Sequence, residues 1–197
     1  FPDLDLYHPQ ELDPEQAMKI AIEAEAAALE YDERIVNSDG AGYNANLGMR
    51  VYGNTHGINT GYPSSRYSLS CMMIGASGDD MQRDYAYTVS RMADKLKSPQ
   101  EVGQEAAKAT VDRLGARKIN TANVPVLLHR DVASSLFGHY VSAISGGNLY
   151  RRSSFLLDKL GEQVFPEWLT IEERPHLKGG LASANFDAEG VATKDLN

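Results

Sequence analysis

Between residues 34 and 91 the apolar side chains recur at every second position, a period that a β-strand with one buried face satisfies and a helix does not. Ala41, Tyr43, Ala45, Leu47, Met49 and Val51 alternate with Gly42, Asn44, Asn46, Gly48 and Arg50. Gly53-Asn54 marks a turn. His56, Ile58, Thr60 and Tyr62 continue one face as far as Pro63-Ser64-Ser65, and Tyr67, Leu69, Cys71 and Met73 follow. After a polar stretch at 75–80, Tyr85, Tyr87 and Val89 resume the pattern. Four runs joined by short polar turns predict an antiparallel meander with one face against a core.

Helices flank this region. Asp13-Pro14-Glu15 is a helix start, with an acceptor at the cap, proline at the first helical position and an acid in the first turn. The spacing places Ala17, Met18, Ala21, Ile22, Ala28 and Leu29 on the buried side. Ser98-Pro-Gln-Glu101 is a capping box, and its helix runs to about Leu114 before Gly115, with Val102, Ala106, Ala109 and Leu114 inward. Two helices laid over the meander make a two-layer α+β sandwich.

A polar link at 116–123 separates this domain, residues 1–117, from the start of a second, α/β-rich domain over 118–197. There the pattern predicts a short strand (Val124, Val126 to Leu128) and a helix opening near Asp131 with a stripe of Val132, Leu136, Tyr140 and Ile144. Gly146-Gly147 stops that helix, and a second helical segment carries Arg151 and Arg152. Residues 164–172 read as a strand broken by Pro166, with Trp168 as a core anchor. Residues 175–197 are polar and weakly periodic.

Composition narrows the classes of function. The chain has 197 residues, 42% of them hydrophobic, enough for a sizeable core. Its net charge is −8, with no basic cluster beyond Arg151-Arg152 and Arg117-Lys118, which argues against a nucleic-acid surface. A single cysteine, Cys71, excludes an intramolecular disulfide and fits a reducing compartment, with Cys71 itself a buried small hydrophobe. No apolar run reaches the ~20 residues that a membrane-spanning helix needs.

Several residues invite chemical readings. None of the five histidines (His8, His56, His129, His139, His176) stands three or four positions from another, so no helical metal pair exists. Arg151 and Arg152 suit bidentate contact with a carboxylate, or a solvated helix start. Asp187 and Glu189 form an acid pair in Phe-Asp-Ala-Glu-Gly, although a loop ending in glycine more often fixes a turn through side-chain to backbone bonds. Ser64-Ser65 and Ser153-Ser154 lack a nucleophile-elbow spacing. Tyr43, Tyr62, Tyr67, Tyr85 and Tyr87 suit core packing or stacking on an extended peptide.

The decapeptide Gly-Gly-Asn-Leu-Tyr-Arg-Arg-Ser-Ser-Phe at 146–155, preceded by Leu-Phe-Gly-His at 136–139, resembles the PmbA (TldE) branch of the TldD/PmbA family. So do Arg-Val-Tyr-Gly-Asn-Thr-His-Gly at 50–57, Gly-Tyr-Pro-Ser-Ser-Arg-Tyr-Ser-Leu-Ser at 61–70 and Phe-Asp-Ala-Glu-Gly at 186–190. The resemblance spans nearly the whole chain and identifies it as a portion of a longer family member. It implies a bacterial, cytoplasmic metallopeptidase built from a TldD-type and a PmbA-type subunit, acting on unfolded peptides. In the TldD-type subunit the helix before the Arg-Arg segment carries His-Glu-x-x-x-His, two imidazoles for zinc and a glutamate to activate its water.

Counting back from Arg151-Arg152 puts the motif's key positions at Gly138, His139 and Ala143, or one residue later at His139, Tyr140 and Ile144. Either register holds one imidazole and no carboxylate at the base position. The expectation is therefore no catalytic or metal-ligating residue in this chain, with zinc in the TldD-type partner. His139, Arg151, Arg152, Asp187 and Glu189 are then candidate cleft or partner contacts, and a strand edge near 64–70 is a candidate site for pairing with peptide. No nucleic acid or membrane is expected as a partner, and a homodimer is the alternative assembly for the isolated subunit. Two competing readings are a protein-binding regulator of the DNA-gyrase-modulator type and an independent hydrolase using Asp187, Glu189 and His139.

Overall fold

A computed structural model describes residues 1–196. The chain forms two compact units, one made of residues 1–117 together with 172–196, the other Lys118–Ile171. Residues from Glu172 onward, which the sequence pattern groups with the second domain, thus pack with the first unit.

The first unit is built on a three-stranded antiparallel sheet in the order β1-β2-β3: β1 Ile35–Gly53, β2 Asn59–Ser77, β3 Asp80–Ser90. The antiparallel meander forms as expected, but with three strands rather than four runs, because β2 does not break at Pro63, and Leu47, Met49 and Val51 of the expected buried face of β1 are exposed. Pro63 pairs with Met49 on one side, and β3 ends its pairing at Tyr67, so the missing proline N–H interrupts no ladder to β3. β2 is also the central strand. The N–H of Ser65 donates to the Leu6 carbonyl at 2.9 Å, so 64–70 is not a free edge.

Helices α1 (Pro14–Leu29) and α2 (Pro99–Asp112) cover one face. Asp13 caps α1 by accepting from the Glu15 N–H, and Ser98 and Glu101 close a reciprocal capping box at α2. The core joins Ala24 and Ala28 of α1, Val102, Ala106 and Ala107 of α2, and Ile35, Leu69, Cys71 and Met73 of the sheet. Met18 and Ile22 are exposed, against the expected inward face of α1. The reason is separation: α2 approaches so closely at Gly103 that only the alanine stripe of α1 fits between the helices.

β3 brings a second correction. Tyr85, Tyr87 and Val89 lie on the uncovered face, opposite Cys71 and Met73. The tight turn between Ser77 and Asp80 pairs odd positions of β2 with even positions of β3, so Ala86 and Thr88 take the covered face. Thr110 meets the sheet through its methyl, which packs toward Gly75, while its hydroxyl donates within α2 to the Ala106 carbonyl at 2.8 Å.

The fully buried Tyr67 holds the N-terminal arm. Its hydroxyl donates to the His8 carbonyl at 2.9 Å and accepts from the Gln10 N–H at 2.8 Å. Tyr67→Phe leaves both backbone groups without this partner and is expected to cost ~1–3 kcal/mol. Urea denaturation checks this; an unchanged midpoint would show that the arm contributes nothing. Cys71 is buried, and burial pushes its thiol up to about 11. Labelling with a thiol reagent at pH 8 should therefore proceed only as fast as the unit opens, and fast labelling of folded protein would contradict the packing.

The second unit contains α3 (Arg130–Ile144) and α4 (Gly146–Tyr150), joined through Ser145. No strand forms at 124–128 or 164–172, because no neighbouring strand in the described residues offers these segments a ladder. Leu127 and Trp168 are exposed rather than buried anchors. The α3 stripe is also mostly open: Val132, Leu136 and Ile144 are exposed, and within the unit only Ala143 is buried.

Candidate functional site

Helix α3 begins with a histidine cap. The Nδ1 of His129 accepts the Asp131 N–H at 3.4 Å, which turns that imidazole toward the helix end. His139 lies on the exposed surface of α3, without an ion-pair partner among the described residues. Tyr140 and Ile144 line an open apolar pocket with Leu149, Leu156, Leu157 and Val164. The Tyr140 ring meets Phe165 edge-on at 4.9 Å. In one register these two residues stand where the motif would place its acid and its second imidazole. Among the described residues no group of His, Cys, Asp and Glu converges as a metal site requires. At the place of the motif, one imidazole with no carboxylate beside it does not fit a zinc ion.

Asn148, which neither spacing nor periodicity marks in the sequence, organises the turn after α3. Its amide donates to the Ser142 carbonyl at 2.7 Å, and its carbonyl oxygen accepts from Arg151 at 2.8 Å. Arg151 thereby braces the turn, its guanidinium lying beside Gly147 where a Cβ would stand 3.4 Å away. Arg152 has a positive φ of 56°, and its side chain is exposed with no carboxylate partner among the described residues. The two adjacent cations thus differ, one occupied with the turn and one facing solvent.

Asp187 and Glu189 belong to the first unit, whereas His139, Arg151 and Arg152 belong to the second. The Asp187 carboxylate accepts the N–H groups of Glu189 at 2.8 Å and Val191 at 3.0 Å, the side-chain to backbone bonding of a fixed turn. Gly190 completes it with φ of 79°, and a side chain there would run into the Tyr52 ring. Glu189 is exposed. The neighbouring Phe186 is only 1% exposed, packed against Phe1, Tyr52 and Tyr62, with the Arg50 guanidinium 5.1 Å from its ring centre. Three stretches that carry the family resemblance, 50–57, 61–70 and 186–190, therefore meet in one structural cluster.

Comparison with known proteins places this arrangement. Residues 7–114 match the family model described as the PmbA/TldA metallopeptidase central domain, and residues 121–197 match the C-terminal domain of the same family. The chain belongs to the PmbA/TldA metallopeptidase family. A curated relative, the metalloprotease PmbA homolog of Haemophilus influenzae, is 54% identical over 194 residues, covering 98% of this chain and 43% of the relative. The chain thus spans less than half the length of the curated relatives it matches. A solved structure from Bacteroides thetaiotaomicron, described as a candidate modulator of DNA gyrase, superposes with a TM-score of 0.92 at 29% identity, covering 100% of this chain and 45% of that one. TldE from Thermococcus kodakarensis shares the fold, with a TM-score of 0.67 at 18% identity over 98% of this chain and 46% of that one. No helix in the described residues is long and apolar enough to cross a membrane.

Proposed function

We propose that this chain is part of a PmbA/TldE-type subunit that works beside a TldD-type subunit in a cytoplasmic zinc metallopeptidase acting on unfolded peptides. The zinc and the general base reside in the partner, and this subunit forms part of the cleft and holds the substrate. The observation that carries the reading is α3. At the place of the metal motif it offers a single imidazole, His139, and turns Tyr140 and Ile144 into an apolar pocket. A lone imidazole is a poor zinc site, whereas an apolar pocket suits an apolar side chain of a peptide. The relatives' description as metalloproteases supports proteolysis as the activity of the assembly.

The test is metal content and peptidase activity of the protein alone and mixed with a TldD-type partner. The expected result is no zinc in the isolated protein and cleavage only in the mixture. Stoichiometric zinc with cleavage by the isolated protein would overturn the assignment. A regulator that binds another protein without proteolysis is the second reading, suggested by the gyrase-modulator description of a structural neighbour. Failure of a TldD-type subunit to copurify would favour it.

A further inference from the structure

The uncovered face of the sheet has a composition that the fold does not explain. Gly42 and Gly48 stand inside β1, where glycine costs conformational entropy and contributes no side chain to packing. Neither has a positive φ, a Cβ at Gly42 would meet nothing within 4 Å, and one at Gly48 would make only ordinary contacts of 3.7 and 3.8 Å. Backbone strain and local crowding are thus both excluded as reasons for glycine. Glycine within a strand also marks a bulge, but the register shifts of β1 lie between Ile35 and Gly40, before either residue; a further use is to let another backbone come close.

The paired residues on this part of the face are polar and, Arg66 apart, small. Gly42 pairs with Ser70, Asn44 with Ser68, Asn46 with Arg66 and Gly48 with Ser64. Together they form a trough about 20 Å long, room for roughly six extended residues. One border is the stacked pair Tyr85 and Tyr87, with ring centres 6.2 Å apart and each residue more than half exposed. Toward the hairpin end, Tyr62 of the same face is covered by Phe186.

Charge selects the occupant. Arg83 is neutralised by Asp39 at 2.9 Å, but Arg66 is exposed with no carboxylate partner among the described residues. Arg91, nearby, donates only to the carbonyls of Ser65, Gly180 and Leu181. Burial lowers the Arg91 guanidinium, and Arg66 stands close enough for its like charge to add to that, so two cations neighbour one another here in a chain of net charge −8. A second copy of the same face would set Arg66 against Arg66, which disfavours a self-interface.

We infer that this trough binds an extended, acidic segment of polypeptide. Its backbone lies over Gly42 and Gly48 and bonds to the Asn and Ser side chains, an apolar side chain stacks on Tyr85 and Tyr87, and a carboxylate meets Arg66. The inference deepens the substrate-holding role proposed above and rests on it for the choice of a peptide as ligand.

The experiment is fluorescence anisotropy on the protein alone, using two labelled flexible Gly/Ser peptides with one phenylalanine, one bearing glutamates and the other lysines. The glutamate peptide is expected to bind roughly tenfold more tightly than the lysine peptide, and Arg66→Glu to reverse that order. Gly42→Val fills the trough while suiting a strand, so it should weaken glutamate-peptide binding roughly tenfold with no loss of thermal stability. Equal binding of both peptides, no binding of either, or unchanged binding by Gly42→Val would overturn the assignment. So would a dimer of the parent protein that Gly42→Val converts to monomer. Because no TldD-type partner is present, these outcomes are independent of whether the heteromeric peptidase forms: the subunit reading fails separately, if a TldD-type subunit does not copurify, and peptide binding by the protein alone would then leave the trough standing.

Discussion

Replacing Gly103 by alanine is expected to destabilise the first unit by about 2–3 kcal/mol, and replacing it by valine to prevent its folding. Gly103 lies where α2 crosses α1. A Cβ there would overlap the Ala24 carbonyl oxygen and stand 3.1 Å from the Ala28 backbone nitrogen. These are backbone atoms of a neighbouring helix, so no side-chain rotation relieves the contact, and the helices must separate. Separation would open the layer in which Ala24, Ala28, Val102, Ala106 and Ala107 are fully buried. Alanine's better helix propensity offsets the overlap by only ~1 kcal/mol, which is why the net sign stays destabilising. Urea denaturation followed by circular dichroism measures the effect. A Gly103→Ala protein as stable as the parent would mean that the helices are farther apart than described.

Phe186→Ala should be nearly as costly, ~3–5 kcal/mol by the range for large aromatic truncations, but the loss should be local. Phe186 is the buried ring through which residues 172–196 pack on the hairpin, against Tyr52, Tyr62 and Arg50. It lies outside the core that joins the helices to the sheet. The expected outcome is loss of hydrogen-exchange protection and faster proteolysis in 172–196, with β2 still protected. Phe186→Leu should recover much of the protection. Loss of protection in β2 and the tail together would show instead that the tail and the sheet fold as one unit.

The candidate site was partly legible in the sequence. His139 and the missing acid could be read by counting from Arg151-Arg152, because a helical motif depends only on spacing along one element. The apolar pocket formed by Tyr140, Ile144, Leu149 and Leu156 could not, since its walls come from α3, α4 and the turns after them. Asp187 and Glu189 looked alike as an acid pair. Only the hydrogen bonds separate them: Asp187 is occupied by two backbone N–H groups, while Glu189 faces solvent. The functional difference between Arg151 and Arg152 likewise depends on Asn148, whose role arises from the geometry of a single turn.

What the sequence by itself determined about this protein is local and periodic. The caps at Asp13 and Ser98, the facing of β1 and β2 around Cys71 and the family motifs follow from side chains acting within a few residues of themselves. Tertiary structure alone decided the rest. The turn at Ser77 to Asp80 sent Tyr85 and Tyr87 to the open face, the close crossing at Gly103 chose alanines over Met18 and Ile22, and Phe186 brought the tail to the first unit. The physical reason is common to all three. Periodicity states which residues share a face, but which face is covered depends on pairing register and on partners distant in the chain.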